Sequence, residues 1–299
     1  MKTKFRLKTH QRYPQIKFAY VDGHHDFDFD VHSHDFSELF LVVSGSGKHT
    51  VASHTYPLST GDVFVINGNI EHGFCEVNKL KIINLMFDTA LPFFEVPSMR
   101  QMPGYQALFK VEPIARQASE YQAKLTLSPS QLKRTAEQMQ QIKWEYDNAE
   151  KGFEVMLTSG MQQLAIELAR LYQKQTHNLP KTTLALSRAL AHIDSHYKDV
   201  GLDTKAIAQA AYISKRQLER LFRQFLNTSP NQYLKGLQIR HSATLLLNDS
   251  NSIQHIAESC GFSDSNYFSK CFKLQNGCSP REFRNQHAPI THNPLPLKP

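Results

Sequence analysis

Apolar positions between residues 15 and 90 fall in short runs broken by polar, glycine-bearing segments. Glu38-Leu-Phe-Leu-Val-Val43, Lys48-His-Thr-Val51, Asp62-Val-Phe-Val-Ile66 and Lys81-Ile-Ile-Asn-Leu-Met-Phe87 read as strands. Ser44-Gly-Ser-Gly47, Ser59-Thr-Gly61 and Asn67-Gly-Asn69 read as the turns between them. Many short strands with glycine turns predict a small barrel or sandwich. From Pro92 to Ser128 prolines interrupt the pattern and no long period emerges. After Ser128-Pro-Ser130 the period becomes helical. Leu132, Ala136, Met139, Ile142 and Tyr146 share one face, and Met156, Met161, Leu164, Leu168 and Leu171 share another. Asn148 to Gly152 is the expected turn of a helical hairpin, and His177-Asn-Leu-Pro180 reads as a linker.

Beyond Leu184 the chain repeats itself. Ile207-Ala-Gln-Ala-Ala-Tyr-Ile-Ser-Lys-Arg-Gln-Leu-Glu-Arg-Leu-Phe222 aligns with Ile256-Ala-Glu-Ser-Cys-Gly-Phe-Ser-Asp-Ser-Asn-Tyr-Phe-Ser-Lys-Cys-Phe272, which is one residue longer at the turn. Ser229-Pro-Asn-Gln-Tyr233 matches Ser279-Pro-Arg-Glu-Phe283 at an offset of 50. Each copy predicts a short helix, a tight turn and a second helix, followed by a Ser-Pro start that Gln232 or Glu282 completes as a capping box. That order resembles helix-turn-helix. Gly261 suits a positive φ at the second turn, where the first copy has Tyr212. Ser229 to Leu247 reads as one helix about 28 Å long, a rod that suits two reading heads on neighbouring major grooves about 34 Å apart.

Charge sharpens this picture. The 299 residues carry a net charge of +7, and residues 184–286 hold 13 basic and 8 acidic side chains, so this third of the chain carries +5 of the excess. A positive balance there favours a polyanionic partner. Lys215, Arg216, Glu219, Arg220 and Arg223 lie opposite the apolar side of the first reading helix, and Asp264, Ser265, Asn266, Ser269 and Lys270 lie on the second. Arginine grips guanine with two parallel donors and glutamate accepts from cytosine, whereas small polar side chains read base edges or hold phosphates.

Composition excludes several classes. Apolar residues are 40% and charged residues 20%, an ordinary globular balance. No run approaches the roughly 18 apolar residues of a spanning helix, and no apolar segment follows the basic amino terminus, so a cytoplasmic protein without a secretory signal is expected. Cys75, Cys260, Cys271 and Cys278 form no Cys-x-x-Cys pair, which argues against a disulfide framework or a zinc knuckle.

The last ~105 residues resemble the DNA-binding domain of AraC/XylS-type transcription regulators. Ile253, Ile256-Ala257, Gly261-Phe262, Tyr267-Phe268, Phe272, Gly277, Ser279-Pro280, Phe283-Arg284 and Leu245-Leu246 carry that resemblance. It implies base reading by Arg216, Glu219 and Arg220 from the first unit and by Asp264, Asn266 and Lys270 from the second. Gln238, Ser242 and Asn227 depart from the usual arginine, alanine and glycine.

A second pattern lies near the amino terminus. His32, His34 and Glu38 share one parity, so on a continuous strand they point to one side, and His72 could return to the same mouth. Together with Gly45 this resembles the cupin pattern His-x-His-x3-Glu-x6-Gly followed by glycine and histidine, with Asn67, Asn69 and Glu76 as departures. In metal-dependent cupins His32, His34, Glu38 and His72 would be ligands. Sensor cupins of this family commonly keep such histidines without a catalytic metal, and no metal or cofactor is assigned. His32, His34, Glu38, His49 and His72 are instead expected to bind a polar effector. Met102-Pro-Gly-Tyr-Gln-Ala-Leu-Phe109, Glu112-Pro113 and the overall layout resemble the rhamnose-responsive and other sugar-responsive regulators of the family.

The expected architecture is α+β and multidomain. It comprises a cupin-like effector-sensing barrel (1–128), a helical hairpin for dimerisation (129–176), a linker (177–183), an all-α domain with two helix-turn-helix units (184–286) and a disordered tail (287–299). The expected function is sequence-specific regulation of transcription, as an activator responsive to a small polar molecule such as a rhamnose-like sugar. The expected partners are promoter DNA, RNA polymerase and a second copy of the chain, with no membrane and no enzymatic activity. The competing expectation is a metal-dependent cupin isomerase or oxygenase tethered to DNA.

Overall fold

The structure is a computed structural model that describes residues 3–90, 92–118, 123–175, 180–248 and 251–287. The chain divides between Ala191 and His192 into two compact units.

The first unit is built on a sheet of eight strands: β1 (Lys4–Phe5), β2 (Phe18–His25), β3 (Phe29–His34), β4 (Phe36–Val51), β5 (His54–Ser59), β6 (Asp62–Ile66), β7 (His72–Asp88) and β8 (Leu125–Thr126). Its order is β1-β3-β7-β4-β6-β8, with β2 also on β7 and β5 also on β4. The expected turn at Ser44 to Gly47 is absent. β4 runs unbroken through it, and register shifts between Val42 and Lys48 bend it instead. Gly45 makes the bend feasible: its φ is +82°, and a Cβ there would lie 2.2 Å from the Lys79 carbonyl oxygen. The single continuous strand expected for His32 to Glu38 is broken at Asp35, whose carboxylate accepts from the Leu7 amide at 2.8 Å at the start of α1 (Leu7–His10). Residues 36–42 and all of β6 are buried, as expected of strands covered on both faces.

The stretch from Pro92, which shows no period, folds into α2 (Pro97–Arg100), α3 (Pro103–Tyr105), a π-helical turn (Gln106–Val111) and α4 (Glu112–Ala118). Gly104 lets α3 approach the hairpin closely, since a Cβ would lie 2.1 Å from the Ala169 carbonyl oxygen. A buried ion pair, Arg116 Nη2 to Glu112 at 2.7 Å, is closed by the Tyr172 hydroxyl donating to the other carboxylate oxygen. The hairpin helices are α5 (Pro129–Asn148), opened by the Ser128/Gln131 capping box, and α6 (Phe153–Lys174). The buried stripe of α6 is Leu157, Met161, Leu164, Leu168 and Tyr172. Met156 is therefore off the predicted face and 55% exposed, and Leu171 is half-buried.

α7 (Lys181–His196) already covers the last three positions of the expected linker, whose residues 177–179 lie outside the described residues. The second unit continues with α8 (Thr204–Ala210), α9 (Lys215–Leu226), α10 (Pro230–Asn248), α11 (Ile253–Ser259), α12 (Ser265–Asn276) and α13 (Pro280–His287). α10 buries residues around its circumference, from Leu234 and Leu237 to Ile239, Ser242 and Leu246, because it is the central rod against which α9, α11, α12 and α13 pack. Ile256, Ala257, Phe262, Phe268 and Phe272 form the core of the second repeat with Ile239 and Leu246. The tail expected to be disordered lies outside the described residues after His287, which closes α13.

Candidate nucleic-acid interface and effector cavity

The two repeats fold alike. α8 and α11 have 7 residues each, and α9 and α12 have 12 each. Both expected capping boxes form: Ser229 accepts from the Gln232 amide at 3.2 Å, and Ser279 accepts from the Glu282 amide at 3.2 Å. The return bonds are the Ser229 amide to Gln232 Oε1 at 3.2 Å and the Ser279 amide to Glu282 Oε2 at 2.7 Å. The departures from the family pattern have local reasons. Gln238 is buried and donates through Nε2 to the Tyr197 carbonyl at 2.7 Å, and the Ser242 hydroxyl donates to the Ile239 carbonyl at 2.7 Å.

Leu218, Leu221 and Phe222 bury one side of α9, which leaves Lys215, Arg216, Glu219, Arg220 and Arg223 exposed. Lys215 and Glu219 stand 4.0 Å apart as an exposed ion pair. On α12, burial of Phe268 and Phe272 leaves Asn266 and Lys270 exposed, with Ser265 and Ser269 half-buried. Asp264 differs from the rest of the expected set. It is the N-cap of α12, and its carboxylate accepts from the amides of Asn266 at 2.7 Å and Tyr267 at 3.3 Å. Both bonds fall on Oδ1, so capping commits one carboxylate oxygen and Oδ2 carries any further contact.

In the first unit a cavity of about 380 Å³ opens inside the sheet. Phe5, Phe29, Phe36 and Phe74 supply aromatic wall, Val21, Ile82 and Met86 aliphatic wall, and His10, His25, His32, Glu38, His72 and Asn84 polar groups. Of the five residues expected to meet an effector, His32, Glu38 and His72 line this cavity. His34 and His49 stand outside the lining, fully buried, because the break at Asp35 and the pairing of β4 with β7 set them into the wall. The sequence reading missed His10 and His25, and it missed Asn84. Its signal is a lone amide in the apolar run from Lys81 to Phe87.

Hydrogen bonds fix the histidine tautomers. The Phe36 carbonyl can only accept, so His34 donates to it from Nδ1 at 2.5 Å and leaves Nε2 as a lone pair. His72 Nε2–H must therefore donate to His34 Nε2 at 2.9 Å, and His49 Nε2–H to His72 Nδ1 at 3.2 Å. Each ring in this chain is neutral, in agreement with burial, which holds His34 down to about 4 and His49 and His72 well below the usual range. Burial raises the Glu38 carboxyl to about 7, opposed by its hydrogen bond with Asn84.

Glu38 Oε2 lies 3.7 Å from both His34 Nε2 and His72 Nε2, and one donor atom from each of these three residues falls within 4.8 Å of the others. Imidazole and carboxylate suit a first-row divalent ion chemically. Holding one here would replace the proton that His34 and His72 share.

Comparison with known proteins agrees with this geometry. Residues 16–165 match the family described as AraC-like ligand binding domain, and residues 207–286 match a helix-turn-helix domain family. The chain is 26% identical over 272 residues to the HTH-type transcriptional activator RhaR of Mannheimia succiniciproducens, covering 88% of this chain and 90% of that one. It is 27% identical over 258 residues to the HTH-type transcriptional activator RhaS of Escherichia fergusonii, covering 86% and 87%. A solved transcriptional regulator of Chromobacterium violaceum, described by its AraC-type DNA-binding domain, is 36% identical over 36% of this chain and 94% of that one, with a TM-score of 0.33.

Proposed function

The chain belongs to the AraC-type family of DNA-binding transcription regulators, and from that premise we propose that it is a cytoplasmic, sugar-responsive activator working as a homodimer. The observation that carries this reading is the joining of two matched reading helices, α9 and α12, to a separate ligand-binding fold that encloses a cavity. The RhaR and RhaS relatives, both named transcriptional activators, support the choice of activation, and the resemblance of the layout to sugar-responsive regulators supports the choice of a sugar. Aromatic faces can stack on the C–H faces of a sugar ring while Glu38, His32 and Asn84 meet its hydroxyls, with His72 held in the wall by His34 and His49.

In this reading Arg216, Glu219, Arg220 and Arg223 read bases from α9, Asn266 and Lys270 contact DNA from α12, and RNA polymerase meets the bound protein. The hairpin supplies the dimer contact. Trp144 and Met156, 52% and 55% exposed, flank a groove between α5 and α6 that a second copy would cover. Among the described residues no helix is long and apolar enough to cross a membrane. The sugar acts by differential affinity for two arrangements of the chain, and its effect on DNA binding cannot exceed that difference.

The test is a footprint of the full chain on its own promoter region, with and without neutral hexoses and 6-deoxyhexoses. The expected result is a protected pair of half-sites whose occupancy or spacing changes with one sugar. A footprint indifferent to every sugar overturns the sugar reading and leaves the DNA-binding assignment intact.

A further inference from the structure

The cavity has an uneven chemistry that bears on which ligands it accepts. Among the described residues no lysine or arginine lines it, and its one carboxyl group is Glu38. Lys4, close in sequence to the lining residue Phe5, is tied to Asn69 Oδ1 at 2.9 Å. His72 is committed as a neutral ring, because its two nitrogens are shared with His34 and His49. His32 holds the Asp30 carbonyl with Nδ1 at 2.9 Å, which leaves Nε2 as a lone pair. His25, whose pKa burial lowers, and His10, packed edge-on against Phe5 and Phe36, complete the imidazoles of the lining, so an anion in this cavity would face a carboxyl group with no lysine or arginine beside it. Burying an unpaired charge is the costliest thing a cavity can ask of a ligand.

A second observation marks where the ligand's polar group belongs. Asn84 lines the cavity and is only 8% exposed, and its amide is hydrogen-bonded to Glu38. Its Oδ1 is buried with no hydrogen-bond partner. A buried carbonyl oxygen left unpaired is costly, so this one is an acceptor waiting for a donor. Asn84 sits between Val21 on β2 and Phe40 on β4, apolar neighbours that can offer it none.

We propose that the cavity selects an uncharged ligand that donates a hydroxyl or N–H to Asn84 Oδ1 and excludes anionic relatives such as sugar acids and sugar phosphates. The inference rests on the reading of this cavity as the effector site, but its content is the ligand's charge and its hydrogen-bond donor. The aromatic and aliphatic walls take the apolar faces of the ligand, and Asn84 with Glu38 orients it.

The test is calorimetric titration of the full chain with matched pairs: neutral hexoses and 6-deoxyhexoses against their aldonic acids and phosphates, and benzyl alcohol against benzoate as a pair outside the sugars. The expected result is binding by an uncharged member, with its anionic counterpart at least tenfold weaker. Asn84→Leu, checked by circular dichroism and melting temperature, is expected to lose at least tenfold of the neutral ligand's affinity. Binding of any anion as tightly as its neutral counterpart overturns the proposal, and so does silence from every uncharged member. A folded Asn84→Leu that binds the neutral ligand undiminished overturns the role of the amide. Benzyl alcohol binding while all sugars fail sinks the sugar reading and leaves this inference standing. A sugar acid binding in place of the sugar does the reverse.

Discussion

The two helix-turn-helix units follow one backbone path with different residues at its hardest points. The turn residue has φ +58° at Tyr212 and +83° at Gly261, and the cap after the reading helix has φ +49° at Asn227 and +79° at Gly277. At position 261 a Cβ would lie 2.5 Å from the Tyr197 carbonyl oxygen and 2.7 Å from Gln238 Nε2. Tyr212, in contrast, is 80% exposed. The left-handed turn therefore does not by itself demand glycine. What demands it is the backbone packed against the second turn. The reading faces diverge in the same way, with three arginines and a glutamate on α9, against asparagine, serine and lysine on α12.

The largest expected effect breaks the turn comparison directly. Gly261→Ala forces both a left-handed alanine and a contact with the Tyr197 carbonyl, and it is expected to destabilise the second unit by about 3 kcal/mol. Tyr212→Ala, which keeps the same backbone at an exposed site, is expected to change stability by less than about 0.5 kcal/mol. Urea unfolding of the two variants checks this, and equal losses would show that the turn alone sets the cost.

The next effect separates the reading faces. Arg220→Ala is expected to weaken specific binding by about 2 kcal/mol and relax preference at one base position. Lys270 is a point charge without the planar fork of arginine and is taken to hold phosphate instead of the base that the family resemblance implies, so Lys270→Ala is expected to weaken binding evenly across sequences and lower the salt slope by about 1. Mobility shifts on operator variants at several salt concentrations distinguish them. A sequence-specific loss at Lys270 would make the two helices equivalent readers.

A smaller effect decides what Asp264 does. As the N-cap of α12 its replacement by alanine costs about 1 kcal/mol of stability, while serine, which caps α9 at Ser214, restores most of it. If Asp264→Ser keeps stability and base preference together, capping accounts for the residue. Lost preference with stability intact would return it to the reading face.

Much of the second unit was legible in the sequence because its signals are local. The repeat, both Ser-Pro capping boxes and the apolar positions Phe222, Phe268 and Phe272 need only a few neighbouring residues to be recognised, and the structure reproduces them. The first unit depends on distant pairing. Whether Ser44 to Gly47 turns or bulges is decided by β7, whose Lys79 lies more than thirty residues away and closes on Gly45. His34 and His49 share the polarity of His32 and His72, yet only sheet register tells which of them face the cavity. The helices after Pro97 are short, and one buried ion pair, Glu112 with Arg116, holds α4 where propensity is weak. The hairpin lies between these cases: its existence was periodic, but the face of α6 shifted from Met156 to Leu157 because the partner surface chose it.

The smallest effect runs in the opposite sense to the first. A non-glycine residue in the left-handed region costs roughly 1–2 kcal/mol, and Tyr212 sits there with its side chain 80% exposed. Glycine removes that strain but gives the unfolded chain more freedom, which takes back about 0.5–1 kcal/mol. Tyr212→Gly is thus expected to stabilise the first unit by about 0.5 kcal/mol, the opposite sign to Gly261→Ala. It is expected to leave the base preference of α9 unchanged, because Ser214 still caps that helix through its bond from the Gln217 amide at 3.2 Å. Urea unfolding and mobility shifts on the same preparation read both quantities. A stabilised variant with unaltered binding identifies the strain as local to the turn. Lost affinity despite gained stability would mean that the exposed phenol itself contacts the DNA, so that the two turns differ in function as well as in packing.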